Sequence, residues 1–398
     1  MRIALIADAR SEHTRRWVAF LSQKDDVMLL STHPFSGEMP GVKIVRLPKI
    51  FSAGNAITRS TVTSKGQKGI LARFISHSLL KAPRIWHLWQ RVNVIDVLLQ
   101  GKVARKAVQS FQPNVIHAMR IQNEGYVGAL TRWHPFIISA MGHDFVYTAK
   151  RSAMHRHLTR KTLPRCDGFM ADCQRDLRLA SEFGLKQSVP RGFFPGNGGV
   201  DLEIFRPGLD QKERMPHILY FRGISPHFRP ITLMRAMRSL IAKPKCAHLV
   251  LHVLAPATSL AWFEGEGAKL GLMEANFRVG AFVSPKELAQ LLQTTAIAAS
   301  PTISDGTPNS LLEAMACGAF PVASNLESIR EWITPENNGL LFDPDNADEL
   351  AACLEHALEN IALRQQAQAV NYTIIRARAD YHRVMPEVRR FYQQLVHQ

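Results

Sequence analysis

Cysteines, long apolar runs and an N-terminal leader are scarce or missing in this sequence, and each shortage excludes a class of protein. The five cysteines are odd in number and form no CxxC pair, which favours reduced thiols over a disulfide framework or a metal site. No apolar run approaches the roughly eighteen residues of a membrane span. The segment Arg2–Asp8 is too short and too charged for a secretory signal, so we expect a cytoplasmic protein.

Acidic residues are also missing between Glu38 and Asp96, whereas ten basic residues lie from Lys43 to Arg91. Residues 1–205 carry 30 Lys+Arg and 14 Asp+Glu, a net charge of +16, while residues 206–398 carry 19 of each. Such a patch attracts nucleic acid, an acidic membrane surface or a phosphorylated substrate, unless it is only a solvated basic face. Residues 69–81 suit an amphipathic helix that lies on a bilayer or packs on its own domain.

Nucleic-acid binding is the alternative of another class for this basic half. Uniform, salt-dependent binding of oligonucleotides would support it. No helix-turn-helix, zinc or RNP signature accompanies the patch, so we do not expect nucleic acid as a partner.

Strands and helices alternate along both halves of the chain, which predicts doubly wound parallel sheets. A chain of 398 residues exceeds what a single core supports. The turn-rich residues 195–199 and the polar stretch that follows Phe205 mark a boundary. We therefore predict two Rossmann-like α/β domains, residues 1–205 and 206–380, that face an interdomain cleft.

The stretch SDGTPNSLLEAM, residues 304–315, places two carboxylates, Asp305 and Glu313, around the start of a helix. Spacing alone means little, because about three such pairs are expected by chance. The context is more informative: Thr307 suits an N-cap, Pro308 the first helical position and Gly318 the helix end. Apolar runs at 296–300 and 320–323 predict flanking strands.

This loop therefore lies at the carboxyl end of a predicted parallel sheet, where open α/β sheets bind ligands. The free N–H groups and dipole of the helix start favour a phosphate, and Ser310 adds a hydroxyl donor. Glu313 lies too deep in the helix to be a cap, so its carboxylate is available to ligand hydroxyls. The alternative is an ordinary capped helix whose acidic residues face water.

Four stretches together resemble the family 4 glycosyltransferases, retaining enzymes of the GT-B fold. Residues 197–207, NGGVDLEIFRP, are similar to that family's NGVD segment, with an extra glycine. Residues 304–322 are similar to its acid-x7-acid element, and NGLLF at 338–342 to its turn and strand. Arg222 and Arg229 resemble its basic pair. The match covers most of residues 190–398 and, more loosely, the first half.

The resemblance implies a role for each of these positions. Glu313 would accept from the ribose hydroxyls of a nucleotide-sugar, such as a UDP- or GDP-sugar, and Asp305 from the transferred sugar. The two arginines would neutralise the departing diphosphate, so neither a metal ion nor a cofactor is expected. Main-chain groups of Phe282 and Val283 would meet the base. The predicted donor site comprises Arg222, Arg229, Phe282, Val283, Asp305, Gly306, Thr307, Pro308, Asn309, Ser310, Leu311 and Glu313.

The sequence departs from the family in three places. Asp305 replaces a commoner Glu, the loop from Asp8 to His13 lacks a Gly-Gly pair, and Met141 stands where many relatives have a histidine. His117, His143 and Asp144 are predicted at strand ends that face the cleft, each as either a ligand contact or a structural histidine or cap. The predicted catalytic residues are Asp305, Arg222, His143 and His117, and the acceptor-side residues are His13 and Asp144.

The sequence thus predicts a retaining glycosyltransferase that acts on a glycan or lipid-linked glycan acceptor in cell-surface polysaccharide or glycolipid synthesis. The basic first domain would bring it to the inner, anionic face of the membrane. The resemblance also implies that the terminal helix, about 380–398, packs back on the first domain. The alternatives within the same fold are a nucleotide-sugar epimerase and a phosphorylase.

Overall fold

The computed structural model describes residues 1–50, 83–150, 152–196 and 198–397, with the backbone alone for residues 83–94. One compact unit contains Met1–Asn197 and Met385–Gln398, and a second contains Gly198–Val384. The chain therefore leaves the first unit eight residues before the predicted end at 205 and returns to it within its last helix. Among the described helices, none combines the length and the apolar character that a membrane span requires.

The first unit is built on seven parallel strands in the order β3-β2-β1-β4-β5-β6-β7. In inner strands such as RIALIA and DVMLLS every residue after the first is buried, as expected of a parallel sheet that helices cover on both faces. The strands are β1 Arg2–Ala7, β2 Asp26–Ser31, β3 Val42–Arg46, β4 Val115–Ala118, β5 Phe136–Ala140, β6 Gly168–Ala171 and β7 Arg191–Phe193.

Among the described residues of the first unit, five α-helices connect these strands, a kinked turn at Ile121–Gly125 follows β4, and a π-helical turn at Asp144–Ala149 follows β5. The helices are α1 Glu12–Leu21, α2 Pro83–Phe111, α3 Tyr126–Thr131, α4 Ala153–Thr162 and α5 Gln174–Glu182. Most of the basic segment between Glu38 and Asp96, including the predicted amphipathic helix at 69–81, lies outside the described residues.

The second unit is built on six parallel strands in the order β10-β9-β8-β11-β12-β13. The strands are β8 Met215–Tyr220, β9 Val250–Ala255, β10 Phe277–Ala281, β11 Thr295–Ser300, β12 Phe320–Ser324 and β13 Leu340–Phe342. The helices are α6 Pro230–Ile241, α7 Leu260–Lys269, α8 Pro285–Thr294, α9 Asn309–Cys317, α10 Ala347–Glu359 and α11 Ile361–Arg378. Both sheets are parallel and doubly wound, which confirms the predicted fold class of each half.

The last helix, α12 (Tyr381–Val396), packs on the first unit through Met385–Gln398. Arg389 donates to both oxygens of Asp25 at 2.7 and 2.9 Å, and the amino group of Met1 donates to the same carboxylate at 2.8 Å. Tyr392 is fully buried there. This helix is therefore held by a doubly paired carboxylate as well as by apolar contact.

Strand order reverses between β1 and β4 in the first sheet and between β8 and β11 in the second. Loops at the carboxyl ends of such neighbours diverge to opposite faces and leave room for a ligand. The polar residues that follow these four strands are therefore the places to look for a site.

Candidate functional site

The donor element predicted at residues 304–313 forms the loop between β11 and α9, beside the switch point of the second sheet. Its helix starts one residue later than predicted: Pro308 is the N-cap and Asn309 the first helical residue. Thr307 was wrong as the cap, because its hydroxyl accepts a hydrogen bond from Trp332 Nε1 at 3.1 Å instead. The Pro308 carbonyl accepts from the amides of Leu311 and Leu312.

Arg222 follows β8 and points at this loop. Its Nη2 lies 2.5 Å from Asp305 Oδ2, and both side chains are only 10% exposed. Its Nη1 donates to Ser300 Oγ at 3.0 Å, and its guanidinium carbon lies 4.3 Å above the centre of the Phe228 ring. The guanidinium is thus held by a carboxylate, a hydroxyl and an aromatic face. Ser300 and Phe228 were not predicted, since only the fold brings them beneath Arg222.

A small cavity opens beside this arginine at the carboxyl ends of β8 and β11. Arg222, Ser300 and Ser310 supply its polar lining, and Ala298, Ala299, Leu311 and Ala314 its apolar walls. Glu313 lies half-buried one helical turn after Asn309. The structure therefore brings Arg222, Asp305 and Ser310 together at the predicted edge, and it places Glu313 on the first turns of the same helix.

Two details change the predicted role of the loop. The Gly306 amide donates to Asp305 Oδ1 at 3.0 Å, so this N–H is already used. Asp305 was predicted to contact the transferred sugar, yet its carboxylate pairs with Arg222. The two predicted catalytic groups of the second unit therefore neutralise each other in this state.

Arg229 was predicted to pair with Arg222 on the diphosphate. Instead, its Nε donates to Asp345 Oδ1 at 2.8 Å, and its Nη1 donates to the Pro226 and Phe228 carbonyls. It also forms the N-cap position of α6. In this structure Arg229 is directed at the loop after β13, and Arg222 supplies the positive charge of the predicted donor site.

The residues predicted to meet the base, Phe282 and Val283, follow β10 and are 51% and 36% exposed. The Phe282 amide donates to the Ala255 carbonyl at 2.9 Å, so its N–H is not available to a base. Its ring is available and lies beside Gly223, where the backbone has φ +74° and an added Cβ would lie 2.9 Å from Pro256 Cδ. Glycine is thus required between Arg222 and this aromatic ring.

His117 was predicted as a catalytic candidate, and the structure corrects this. It lies within β4 with no exposed surface, and its two ring nitrogens bond Tyr392 Oη and Ser139 Oγ, each at 2.6 Å. Burial lowers the pKa of His117 from 6.5 to about 3, so the ring is neutral. His117 joins the C-terminal helix to the sheet.

This burial predicts a pH dependence of stability. The unfolded chain binds a proton at His117 below about 6.5, and the folded chain does so only near 3. As the pH is lowered from about 6.5 to about 3, His117 should therefore reduce the free energy of unfolding by about 1.4 kcal/mol for each pH unit. Urea unfolding should show a shallower pH slope for His117→Asn than for the exposed control His157→Asn. Identical slopes in the two variants would contradict the buried neutral ring.

Asp144 was predicted on the acceptor side and is also corrected. It is 2% exposed, and its Oδ2 accepts from the amides of Ile121 and Met141 at 3.0 and 3.3 Å. Burial raises its pKa despite the nearby Arg120 charge. Asp144 therefore holds the turn that follows β4 against the turn that follows β5. His143, half-buried beside it, packs edge-on against the Tyr147 ring.

A polar cluster that the sequence analysis missed lies at the carboxyl ends of β1, β2 and β4. Glu124 is 4% exposed and accepts from Thr32 Oγ1 at 2.6 Å, and burial raises its pKa to about 6. The preceding residue, Asn123, has φ 69° and ψ −72°, a strained conformation for a non-glycine residue. Buried carboxyl groups with a raised pKa and strained backbone residues are common at functional sites, so this cluster is a candidate site.

Four further side chains, from the segments that follow β1 and β2, lie at this end of the sheet. Asp8 accepts from Arg10 Nη2 at 2.8 Å and lies 3.5 Å from His33 Nδ1. Burial acts to raise the pKa of Asp8, but the Arg10 bond and the His33 charge lower it overall. His13, predicted on the acceptor side, has a buried Nδ1 without a hydrogen bond, and burial lowers its pKa to about 3. No sequence motif singles out Glu124, because it follows β4 whereas its neighbours follow two other strands, β1 and β2.

Two groups of potential metal ligands occur among the described residues: Asp172 with Cys173 and Asp176, and Asp201 with Glu203 and His382. The buried group surrounds Arg175, whose Nε donates to Asp176 at 2.8 Å. Neither group contains a residue of the predicted donor site.

Comparison with solved structures identifies the fold class of this protein. The two doubly wound parallel domains form the GT-B fold. The chain superposes on sucrose-phosphate synthase from Thermosynechococcus elongatus with a TM-score of 0.73, 16% identity and 99% of each chain covered. HepE of Anabaena, solved with UDP and glucose, gives a TM-score of 0.70 and 15% identity over 99% of this chain and 100% of HepE.

The lipopolysaccharide outer core galactosyltransferase WaaB, in its apo form, gives a TM-score of 0.66 and 12% identity with 99% of each chain covered. Residues 216–360 match the family model described as Glycosyl transferases group 1. This segment contains every residue of the predicted donor site. No curated protein matches the chain by sequence.

Proposed function

We propose that this protein is a retaining glycosyltransferase that moves a sugar from a nucleoside diphosphate sugar to a glycan or lipid-linked acceptor. The single observation that carries this is the site at residues 222 and 304–313, within the segment that matches the glycosyl transferases group 1 model. A guanidinium and a helix start at the carboxyl edge of a parallel sheet are suited to a diphosphate.

The parts of the donor would lie along this edge in a fixed order. The exposed Phe282 ring offers a face to the base, and Gly223 leaves room between that ring and Arg222. Glu313 would accept from the ribose hydroxyls. The diphosphate would meet Arg222 and the first amides of α9, with Ser310 as a further donor. HepE, solved with UDP and with UDP-glucose, supports a uridine donor as the first to test.

Donor arrival must rearrange the Arg222–Asp305 pair. Arg222 would keep its contacts with Ser300 and Phe228 and turn one edge toward phosphate oxygens. Asp305 would then accept from hydroxyls of the transferred sugar. The guanidinium stabilises the diphosphate as its charge grows, which is the interaction that lowers the barrier. This charge is supplied without a metal ion.

The acceptor would bind at the first unit's carboxyl edge, where Asp8, His33 and Glu124 converge. Glu124→Gln should raise the KM for the acceptor about tenfold or more. The amide loses the negative charge of the carboxylate that would accept from a hydroxyl of the acceptor. Donor affinity should not change. Asp26→Asn, at an exposed site in the same unit, is the matched control. A higher donor Kd in Glu124→Gln, with the acceptor KM unaltered, would contradict this assignment.

The proposal is tested first by thermal shift with UDP-, GDP- and ADP-sugars, since a ligand that binds only the folded state raises the melting temperature. The donor so found should then label glycan and lipid-linked acceptors, with the product anomer identified by NMR and with activity retained in EDTA. Inversion of the anomer would refute retention, and loss of activity in EDTA would refute metal independence. Free UDP from UDP-sugar without any acceptor would favour the epimerase.

We also propose that the first unit brings the enzyme to an anionic membrane surface, since that half of the sequence carries the whole net charge of +16. Four basic residues of the segment between Glu38 and Asp96 that were predicted to lead this contact, Lys65, Lys68, Arg73 and Lys81, lie outside the described residues.

A further inference from the structure

A wide cavity of about 840 Å³ opens in the first unit. It lies at the opposite end of the strands from the carboxyl ends, where the acceptor is proposed to bind. Three loops line it: residues 132–135 before β5, 164–167 before β6, and 186–190 before β7. It therefore lies at the amino ends of three adjacent strands. Nothing in the proposed transfer reaction uses this edge, so the cavity needs its own explanation.

The charged residues of this groove are nearly all positive. Arg132, Arg165 and Lys186 are exposed around it, and none of them forms an ion pair among the described residues. Asp167 is the only acidic lining residue, and its Oδ2 already accepts from His134 Nδ1 at 2.6 Å and from the Phe136 amide at 2.7 Å. Three unpaired cations face one satisfied carboxylate, so the groove is complementary to an anion.

The floor of the groove is apolar and fixed. Leu130, Pro164, Val189 and Pro190 line it together with Trp133. The indole N–H of Trp133 donates to the Pro113 carbonyl at 3.0 Å, which pins the ring at the groove wall. A bare phosphate needs no such volume or apolar surface, and a single-stranded nucleic acid would need aromatic faces free for stacking.

We propose that this groove binds the head group and first acyl carbons of an anionic phospholipid. The three cations would hold the phosphate. The Trp133 side chain would lie at the level of the lipid head groups, where tryptophan is favoured in membranes. This inference rests on the proposed membrane association and gives it a location among the described residues. It does not depend on the transfer reaction.

Vesicle sedimentation with phosphatidylglycerol and with phosphatidylcholine tests the groove directly. The triple variant Arg132→Gln, Arg165→Gln, Lys186→Gln should lose about 100-fold in affinity for the anionic vesicles. The control is Lys102→Gln, Arg105→Gln, Lys106→Gln, which removes the same charge from exposed positions of α2 in the same unit. It should lose less than about threefold, because none of these three residues lines the groove.

Each alternative outcome has a distinct meaning. Equal losses in the two triple variants, or a loss confined to a Gln variant of Lys65, Lys68, Arg73 and Lys81, would overturn the groove while leaving membrane association. No preference of the wild type for anionic vesicles would overturn both, and donor thermal shifts would still report the transfer proposal separately. Equal thermal stabilisation by inorganic phosphate and by short-chain phosphatidylglycerol would show a phosphate site only. Oligonucleotide binding lost in the groove variant would assign nucleic acid instead.

Tryptophan fluorescence gives a second test of the groove that does not depend on charge substitutions. Brominated phosphatidylglycerol should quench the tryptophan emission of the wild type, and Trp133→Phe should lose that quenched component while keeping its vesicle affinity within about threefold. Quenching that persists unchanged in Trp133→Phe would place the lipid elsewhere and overturn the groove.

Discussion

Arg222→Ala should lower kcat about 100- to 1,000-fold while donor affinity falls much less. The guanidinium is the one cation among the described residues that lies in the small cavity at the head of α9, held by Asp305, Ser300 and the Phe228 ring. Negative charge on the leaving diphosphate grows toward the transition state, so the interaction strengthens as the bond breaks. Steady-state kinetics and donor calorimetry on the same variant separate the two effects.

The same substitution should also reduce stability, because the Asp305 side chain is 10% exposed and loses the guanidinium that neutralises it. Breaking a buried ion pair by removing one charge costs about 3–5 kcal/mol, and the second change Asp305→Asn should restore much of it without restoring kcat. Arg229→Ala is the matched control, since its guanidinium pairs with the exposed Asp345 instead. Intact kcat with weakened donor binding in Arg222→Ala would make Arg222 a ground-state contact.

Glu313→Ala should abolish measurable donor binding at concentrations that saturate the wild type. A carboxylate that accepts two ribose hydroxyls contributes charge-assisted hydrogen bonds, and losing them costs about 2–3 kcal/mol, or roughly 30- to 150-fold in Kd. Glu313 is half-buried on the first turns of α9, beyond Ser310. Isothermal calorimetry with the nucleotide alone isolates this contact from those made to the sugar.

Two controls separate this role from a loss of folding. Glu264→Ala removes an exposed carboxylate from another helix of the same unit and should leave the Kd unaltered. Glu313→Gln keeps the size and one acceptor, so it should fall between the wild type and Glu313→Ala. A folded Glu313→Ala protein that binds the nucleotide with wild-type affinity would refute the donor assignment.

The sequence by itself determined the elements and the donor loop, because their signals are local. Pro308 and Gly318 marked the two ends of α9, where they form its N-cap and C-cap positions. Apolar runs gave the strands on both sides of α9, and the alternation of elements gave two parallel sheets. The N-cap predicted for α9 was wrong by one residue, since the Thr307 hydroxyl accepts a hydrogen bond from Trp332, which lies 25 residues away in the chain.

Only the tertiary structure decided which of these polar residues meet. Asp305 pairs with Arg222, 83 positions earlier in the chain, because β8 and β11 are neighbours in the sheet. His117 lies between Ser139 and Tyr392 because α12 returns to the first unit, which turns a predicted catalytic residue into a core residue. Glu124 acquires its raised pKa from burial beside Thr32. Burial, pKa and pairing depend on strand order, and strand order is a property of the assembled sheet that no local stretch of sequence encodes.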